Sequence, residues 1–297
     1  MRHVVLKTRN VEKTLLLLVF TIVACDGSSE KTELANKLID KSIANMVSVK
    51  GGDFLMGDFG PLVGEKLPFS IHQDDKVLHK VILGKFMISK YKVTNADYKI
   101  YLEVTGTPSP TVDILAKNFP LLLSDNYSVS VTWQRAKDYC IWLGAQSGKK
   151  IDLPTEAQWE YAARSEGKYL PFATDNGEIE RGRNYPTDDD LIKYTGGLGL
   201  PIYPVGKYPS NSLGLYDMGL SGKEWANDWY ASDYYSYSPV NNPQGPAKGE
   251  KKVLRGAVGG SDQYALTMFR QSSPPNPKPG DDDYYYAVGV FRCVINK

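Results

Sequence analysis

Glycine and proline interrupt this chain so often that long regular elements have little room to form. The sequence has 27 Gly and 18 Pro among 297 residues. Glycine is too flexible for a stable helix or strand, and proline lacks the backbone N–H donor. Clear helical periodicity is confined to segments that begin near Thr94, Thr132 and Thr155, and short strands and long loops follow from residue 165 onward. The sequence therefore predicts a loop-rich α+β domain.

The first 24 residues have the layout of an export signal. Basic residues dominate the first fourteen positions, and the ten that follow, LLLLVFTIVA, carry no charge. Ten apolar residues are too few to cross a hydrocarbon core of about 30 Å, so this stretch indicates a signal peptide and not a membrane span. It ends Ile22-Val23-Ala24-Cys25, which resembles the lipobox of bacterial lipoproteins, where the cysteine is acylated and becomes the new N-terminus.

Cleavage before Cys25 divides the chain into a signal peptide at residues 1–24, a lipidated cysteine with a polar tether at residues 25–45, and a main domain at residues 46–297. Several acyl chains together hold a protein firmly at a membrane. We therefore expect a lipid-anchored protein on the periplasmic side of a bacterial membrane. Asp26, directly after the cysteine, favours the inner membrane over the outer one, as it does in lipoproteins of enteric-like bacteria.

The charge balance of the mature chain does not favour nucleic acid as a partner. Removing residues 1–24 takes away four basic residues and one acidic residue, which leaves 31 Lys and Arg against 33 Asp and Glu. The mature net charge of about −2 offers no basic excess for a phosphate backbone or an anionic membrane surface.

Cysteine is scarce in this chain. Besides Cys25 there are only Cys140 and Cys293. In an oxidising compartment such a pair is a candidate for a disulfide. A bond between positions so far apart would remove roughly 5 kcal/mol of unfolded-state entropy in the simplest chain model. From the residues alone, the pairing is a hypothesis.

Several motifs follow one another along the chain. They include LPTEAQWEYAAR at 153–164, PVGKYPSNSLGLYDM at 204–218, EWANDWY at 224–230 and FRC at 291–293. Together they resemble the formylglycine-generating enzyme family, also called the sulfatase-modifying-factor domain family. The resemblance implies a complex, loop-rich α+β fold related to C-type lectins. It also implies a disulfide between Cys140 and Cys293, which fall where the family places one of its structural bridges.

The resemblance extends to the scaffold but not to the family's copper site. The best-known members oxidise a substrate cysteine to formylglycine, with copper held by two cysteines in a segment after a GGSW-like motif. Soft thiolates suit such an ion. The corresponding residues 253–277 contain no cysteine, and neither Cys140 nor Cys293 can serve without breaking the expected bridge. Formylglycine formation by this route is therefore excluded, no copper is expected, and the sequence favours a non-catalytic domain.

A second branch of the family uses non-haem iron held by three histidines, two of them in an additional helical domain. This mature chain has only His72 and His79 and lacks that domain. An iron site of two histidines and one carboxylate, with Asp74 or Asp75 as the third ligand, is an alternative that the residues leave open. It would make the chain an iron-dependent oxidoreductase.

Calcium is a further cofactor that the resemblance leaves open. Family members hold calcium in loops through amide, carboxylate and carbonyl oxygens, as a hard cation prefers. Asn184 matches one of these sites, with Asp188 and Asp190 as substitute carboxylates. Ser221 and Glu224 fall in the other, where the family's asparagine has become serine.

The loops are rich in tyrosine and tryptophan, which dominate the energetics of protein interfaces. We expect a group of these side chains to contact an unidentified periplasmic or membrane protein: Trp229, Tyr230, Tyr234, Tyr235, Tyr284 and Tyr285. Such a binding module would suit an accessory or regulatory part of a secretion machine, or an inhibitor that protects the cell from a secreted toxin. Glycan or peptidoglycan binding is a further alternative, which rests on analogy of fold alone.

Overall fold

The computed structural model describes residues 23–110, 117–257, 262–276 and 289–296, with side chains described from residue 29 onward. The helices are α1 (Val23–Ala44), α2 (Asn95–Thr105), α3 (Trp133–Ser147), α4 (Glu156–Ala163) and α5 (Asp188–Thr195). Within the described residues, no helix is both long and apolar enough to cross a membrane. Residues 1–22 of the expected signal peptide, which spans residues 1–24, lie outside the described residues.

The strands are short and form small antiparallel sheets. They are β1 (Met46–Val49), β2 (Gly52–Met56), β3 (His79–Leu83), β4 (Phe86–Ser89), β5 (Ile151–Asp152), β6 (Glu224–Trp229), β7 (Lys252–Arg255), β8 (Arg270–Ser273) and β9 (Val294–Asn296). The first sheet has the order β1-β4-β9-β5, the second pairs β2 with β3, and the third has the order β6-β7-β8. The first sheet thus joins the two ends of the domain, and the α+β class predicted from the sequence is confirmed.

Three helices, α2, α3 and α4, begin where the sequence predicts, whereas α1 and α5 were not predicted. The Thr94 side chain accepts a hydrogen bond from the Asp97 backbone at the start of α2. At the start of α4, Thr155 and Gln158 form both halves of a capping box, which satisfies backbone donors that the helix itself cannot pair. Thr132 precedes α3 as expected, but its side chain makes no capping hydrogen bond.

A disulfide closes the main hydrophobic core. Cys140 on α3 is bonded to Cys293, which directly precedes β9, across a sequence separation of 153 residues. Both cysteines are buried in a cluster that includes Tyr139 and Phe291. The bond therefore links α3 to the first sheet, and the predicted disulfide is present.

Residues 25–45 are more than a tether, which corrects the expected domain boundary. They lie in α1, and the end of this helix packs on the core: Leu38 is fully buried, and Ile39 and Ile43 are partly buried against the same cluster. Apolar residues at this spacing share one helix face, which is why the segment docks despite its polar composition. Cys25 and Asp26 belong to the part of α1 whose side chains lie outside the description.

The docking of α1 can be tested with one buried and one exposed substitution. We expect Leu38→Ala to lower the free energy of unfolding by about 2–5 kcal/mol, because it leaves a cavity under the helix. Lys37→Ala, at an exposed position beside it, should change it by less than about 0.5 kcal/mol. Urea unfolding of a chain that begins at residue 29 measures both. Equal, small effects would mean that α1 is only a tether.

Candidate functional site

The sheet β6-β7-β8 carries the segment in which the family's copper cysteines would lie. Strand β7 ends at Arg255, and after the 3₁₀ helix Asp262–Ala265 strand β8 begins at Arg270. The antiparallel register pairs Arg255 directly with Arg270. Two arginines therefore oppose each other at this end of the sheet.

Both arginines bind Glu156, in the first turn of α4. The Nη1 atom of Arg255 donates to Glu156 Oε1 at 2.8 Å. The Nε and Nη2 atoms of Arg270 donate to Oε1 and Oε2 at 2.7 and 3.0 Å. The Tyr235 hydroxyl donates to Oε1 at 3.1 Å. All four side chains are buried, so the carboxylate is held between two cations away from water.

Glu160, one turn further along α4, extends this network. Its Oε2 accepts from Arg255 Nη2 at 2.8 Å, and its Oε1 accepts from Arg164 Nη1 at 2.9 Å. Oε1 also accepts the backbone N–H of Gly57, at 3.0 Å, in the loop after β2. We call Glu156, Glu160, Arg164, Arg255 and Arg270 the buried ion network.

The charge state of Glu156 argues against acid–base chemistry in the buried ion network. Burial alone would raise the pKa of Glu156, but the charges of Arg270 and Arg255 outweigh it and lower the pKa to about 2. A carboxylate with so low a pKa is a poor proton acceptor near neutral pH. The buried ion network can hold α4 against β7 and β8, and Glu156 within it is not suited to accept a proton.

Asp228, a carboxyl group beside the buried ion network, has a pKa that is shifted in the opposite direction, upward. Burial and the neighbouring charge of Glu156 raise the pKa of Asp228 to about 7, although its Oδ2 accepts the backbone N–H of Glu156 at 2.9 Å. Perturbed carboxyls are common at functional sites. Asp228 is only 2% exposed, so a solute cannot reach it without displacing the surrounding strands.

Two of the tyrosines predicted to contact a partner are core residues, so the prediction is wrong for them. Tyr234 and Tyr235 lie in the short 3₁₀ helix Tyr234–Ser236, and both rings are buried in the second hydrophobic cluster. The Arg270 guanidinium lies 4.1 Å from the centre of the Tyr235 ring. A tyrosine whose hydroxyl has a buried partner can be enclosed at little cost, and Glu156 supplies that partner.

Trp229 and Tyr230 are half-buried and already engaged within the domain. The Tyr230 hydroxyl donates to Asp74 Oδ2 at 2.8 Å. The Trp229 ring lies over the Lys252 ammonium, 3.7 Å from the ring centre. Tyr284 and Tyr285 lie outside the described residues. Among the predicted contact residues that the structure describes, Trp229 and Tyr230 are therefore the two that are partly exposed.

The two histidines do not form the iron site left open by the sequence. The rings of His72 and His79 pack against different aromatic side chains, with centroid distances of 4.8 and 4.4 Å. Asp75 accepts a hydrogen bond from Ser70 at 2.5 Å, and Asp74 is bonded to a tyrosine. No group of three or more His, Cys, Asp or Glu among the described residues is arranged to hold a metal ion. The iron alternative is wrong for this part of the chain.

The first expected calcium site is not assembled either. The amide nitrogen of Asn184 donates to three oxygens at 2.9 to 3.2 Å, so it presents hydrogens where a cation would need oxygens. Asp190 caps α5, since its Oδ2 accepts from the Thr187 backbone at 3.1 Å. Asp188 occupies the first turn of the same helix. The aspartates that looked like substitute ligands therefore serve the helix end.

The second expected calcium site is filled by side chains of the protein. Glu224 makes a two-point ion pair with Arg292, at 2.6 and 3.0 Å. The Ser221 hydroxyl donates to the Tyr203 carbonyl at 3.2 Å. The Lys92 ammonium contacts the carbonyl of Ser221 at 3.0 Å and Glu224 Oε1 at 3.8 Å. Burial lowers the pKa of Lys92 to about 8 against the opposing charge of Glu224, so the ammonium form prevails at neutral pH. These residues do not fit a bound calcium ion.

A surface feature absent from the sequence predictions is a group of exposed apolar side chains around the loop between β2 and β3. We call this group the apolar rim: Leu62, Leu67, Ile71, Val77, Tyr169 and Tyr264. Leu67 is 63% exposed and Ile71 is 67% exposed. The loop packs on a cluster that includes Phe59 and Phe269, which places the rim beside the segment between β7 and β8. In the sequence, the apolar residues of PLVGEKLPFSI at 61–71 could have indicated this surface, but their spacing has neither helix nor strand periodicity.

This chain is similar to several known proteins. The sequence profile of the family described as "Sulfatase-modifying factor enzyme 1-like domain" matches residues 31–297. The serine/threonine-protein kinase pkn1 of Chlamydia pneumoniae is 33% identical over 271 residues, which are 86% of this chain and 38% of that protein. The chain thus spans less than two fifths of that relative. The formylglycine-generating enzyme of Streptomyces coelicolor is 27% identical over 317 residues, 86% of this chain and 90% of the enzyme.

Solved structures show the same fold. PvdO from Pseudomonas aeruginosa superposes with a TM-score of 0.62 at 23% identity, covering 85% of this chain and 94% of PvdO. Treponema denticola variable protein 1 superposes with a TM-score of 0.58 at 19% identity, covering 85% of this chain and 95% of that protein. At these identities the likeness establishes the fold and no activity.

The buried ion network makes a prediction about stability and pH. We expect Glu156→Gln to lower the free energy of unfolding at pH 7 by about 3–5 kcal/mol, because two buried arginines lose their shared counterion. The folded pKa of about 2 lies below the ordinary value of 4.5, so the contribution of Glu156 is complete above pH 4.5 and is lost as the pH falls toward 2. Urea unfolding of both proteins between pH 7 and about pH 3 measures the difference.

Glu178→Gln, at an exposed carboxylate, is the matched control and should change the stability by less than about 0.5 kcal/mol. A difference between wild type and Glu156→Gln that stays constant from neutral to acid pH would contradict this account.

Proposed function

The chain belongs to the sulfatase-modifying factor enzyme 1-like domain family, and on that basis we propose that it is a membrane-anchored binding module that does not form formylglycine. Its ligand is a periplasmic or membrane protein, which it meets at the periplasmic face of the membrane.

The observation that carries this proposal is the state of the cysteines. Both cysteines of the domain, Cys140 and Cys293, are joined in one disulfide. Residues 253–277, where the family's copper ligands would fall, supply none. Copper held by thiolates needs free cysteine sulfur, and the opposing residues here are two arginines already bound to Glu156. No step of the family's oxidation chemistry can be assigned to these residues.

The apolar rim supports binding as the remaining role. The loop between β2 and β3 packs on the cluster below through Phe59, Phe69 and Leu78, so it holds a defined shape. Grouped exposed apolar side chains are a common mark of protein contact sites. Glu65 and Lys66 are also exposed, between Leu62 and Leu67 in the sequence, so the partner that fits this surface is a protein that presents apolar side chains flanked by polar ones.

The relatives support a modular role. The chain matches 38% of a Chlamydia pneumoniae protein named as a serine/threonine-protein kinase. A domain of this kind therefore occurs within a longer protein whose name is not that of a formylglycine-generating enzyme. In our proposal this chain uses the same scaffold to hold a partner, as an accessory of a secretion machine or an inhibitor of a secreted toxin would.

The anchor can be tested at Cys25. We expect wild-type protein to incorporate labelled fatty acid and to sediment with membranes, and Cys25→Ser to lose both properties because the acylated atom is the cysteine sulfur. Asp26→Ser keeps the cysteine and should keep the label while moving protein from inner to outer membrane fractions. Label retained by Cys25→Ser would refute the lipid anchor.

The apolar rim can be tested by comparing two exposed apolar surfaces. We expect cross-linking in intact cells to capture one stoichiometric protein partner, and Leu67→Ser combined with Ile71→Ser to reduce that capture at least about tenfold, since both side chains would be buried at the interface. Ile192→Ser removes a 53%-exposed isoleucine from α5 and is the control.

Both variants should keep the wild-type unfolding midpoint, because the changed side chains are exposed. Unchanged capture by the rim variant, or equal loss in the Ile192→Ser control, would reject the rim as the docking surface.

A further inference from the structure

Lys92 is a buried lysine whose ammonium group lies among oxygen atoms. Its Nζ donates to the backbone carbonyl of Leu220, to that of Ser221 at 3.0 Å and to that of Gly222 at 3.2 Å. Glu224 Oε1 lies 3.8 Å away, and the lysine side chain has no exposed surface. An ammonium has three N–H donors and no acceptor, so three carbonyls satisfy it completely.

The turn that supplies these carbonyls curls around the ammonium. Gly219, Ser221 and Gly222 all have positive φ angles, of 87°, 55° and 112°. Serine rarely adopts this conformation, since a Cβ atom crowds the following carbonyl. Three successive carbonyl oxygens directed at one point repel one another unless a positive charge lies between them. The turn therefore depends on a cation for its shape.

The carboxyl groups near this turn also require a neighbouring positive charge. Glu224 is paired with Arg292, whereas Asp217 is buried with its Oδ1 lacking any hydrogen-bond partner. Burial raises the pKa of Asp217, and the charge of Lys92 is the largest influence that opposes the rise. Two carboxyl groups thus face two cations, and removing Lys92 would leave the negative charge in excess.

Carbonyl and carboxylate oxygens are the ligands that a hard divalent cation such as calcium takes. We propose that the Lys92 ammonium replaces a divalent cation in the turn at residues 219–222, so that this domain folds without calcium, and that shortening the Lys92 side chain turns the same oxygens into a calcium site. This inference concerns folding and does not depend on the identity of any partner.

The structure also offers a path for the ion. A cavity of about 240 Å³ is lined by Lys92 together with Tyr91, Thr94, Asn126 and Val205. Because residue 92 lines this cavity while its Nζ contacts the turn, shortening the side chain to alanine would leave space between the two. A metal site needs such an entry path as well as suitable ligands.

The test compares purified wild type, Lys92→Ala and Lys92→Met by urea unfolding in chelator and in calcium. We expect Lys92→Ala to be destabilised in chelator and to recover in calcium, with a Kd of roughly 10⁻⁴ to 10⁻³ M. At about 100 times the Kd, calcium should raise its folded-to-unfolded ratio about 100-fold. Wild type and Lys92→Met should not respond, because their side chains still fill the turn.

Lys252→Ala is the matched control, since Lys252 is also buried and donates to one carbonyl, that of Asn227, at 2.9 Å but has no ring of oxygens. It should show no calcium response. Failure of Lys92→Ala to gain stability from calcium, including failure to fold with and without the ion, would overturn the proposal. So would calcium stabilisation of the wild type, or a Lys92→Met protein as stable as wild type in chelator.

Discussion

The architecture depends on the pairing of Glu156 and Glu160 with three arginines inside the protein. An isolated charge in this interior would be strongly unfavourable, so each carboxylate requires its cations and each cation its carboxylates. Because Glu156 and Glu160 lie on α4 while Arg255 and Arg270 lie on β7 and β8, this requirement fixes the helix against the sheet. Arg270 also donates to the Asp74 carbonyl at 3.0 Å, which brings in the loop between β2 and β3. This hydrogen bond therefore fixes the loop around which the apolar rim lies to the buried ion network.

The same electrostatic rule operates where the family would bind ions. Arginines oppose each other across β7 and β8 in the segment that carries copper ligands in the best-known members. At the turn that precedes β6, Lys92 and Arg292 neutralise the acidic groups that would otherwise suit calcium. In both places the chain supplies its own cations. A domain built in this way keeps the family's fold with other residues at its ion sites, which agrees with the proposed role in binding.

Aromatic residues show how composition can mislead a functional interpretation. Tyr235 and Trp229 have similar residue chemistry and lie only six positions apart, yet one is enclosed and the other is half-exposed. The difference comes from partners elsewhere in the chain: Glu156 accepts from the Tyr235 hydroxyl, whereas Trp229 lies at the edge over Lys252. The apolar rim shows the reverse case, because its apolar side chains have no periodic spacing in the sequence but remain exposed outside the core.

The sequence by itself determined the fold class and the starts of α2, α3 and α4, because these depend on composition or on neighbouring residues, and it offered the cysteine pair as a hypothesis. Thr155 and Gln158 cap α4 through atoms three residues apart, and two cysteines in one domain allow a single bond. It could not determine that residues 25–45 dock on the core, since one buried leucine in a polar helix is a weak pattern. Only the tertiary structure brought Lys92 to the carbonyl of Leu220, 128 positions away. The contact with Lys92 decides whether the oxygen atoms of Ser221 and Glu224 bind a lysine or a metal ion, because the same oxygen atoms satisfy either cation.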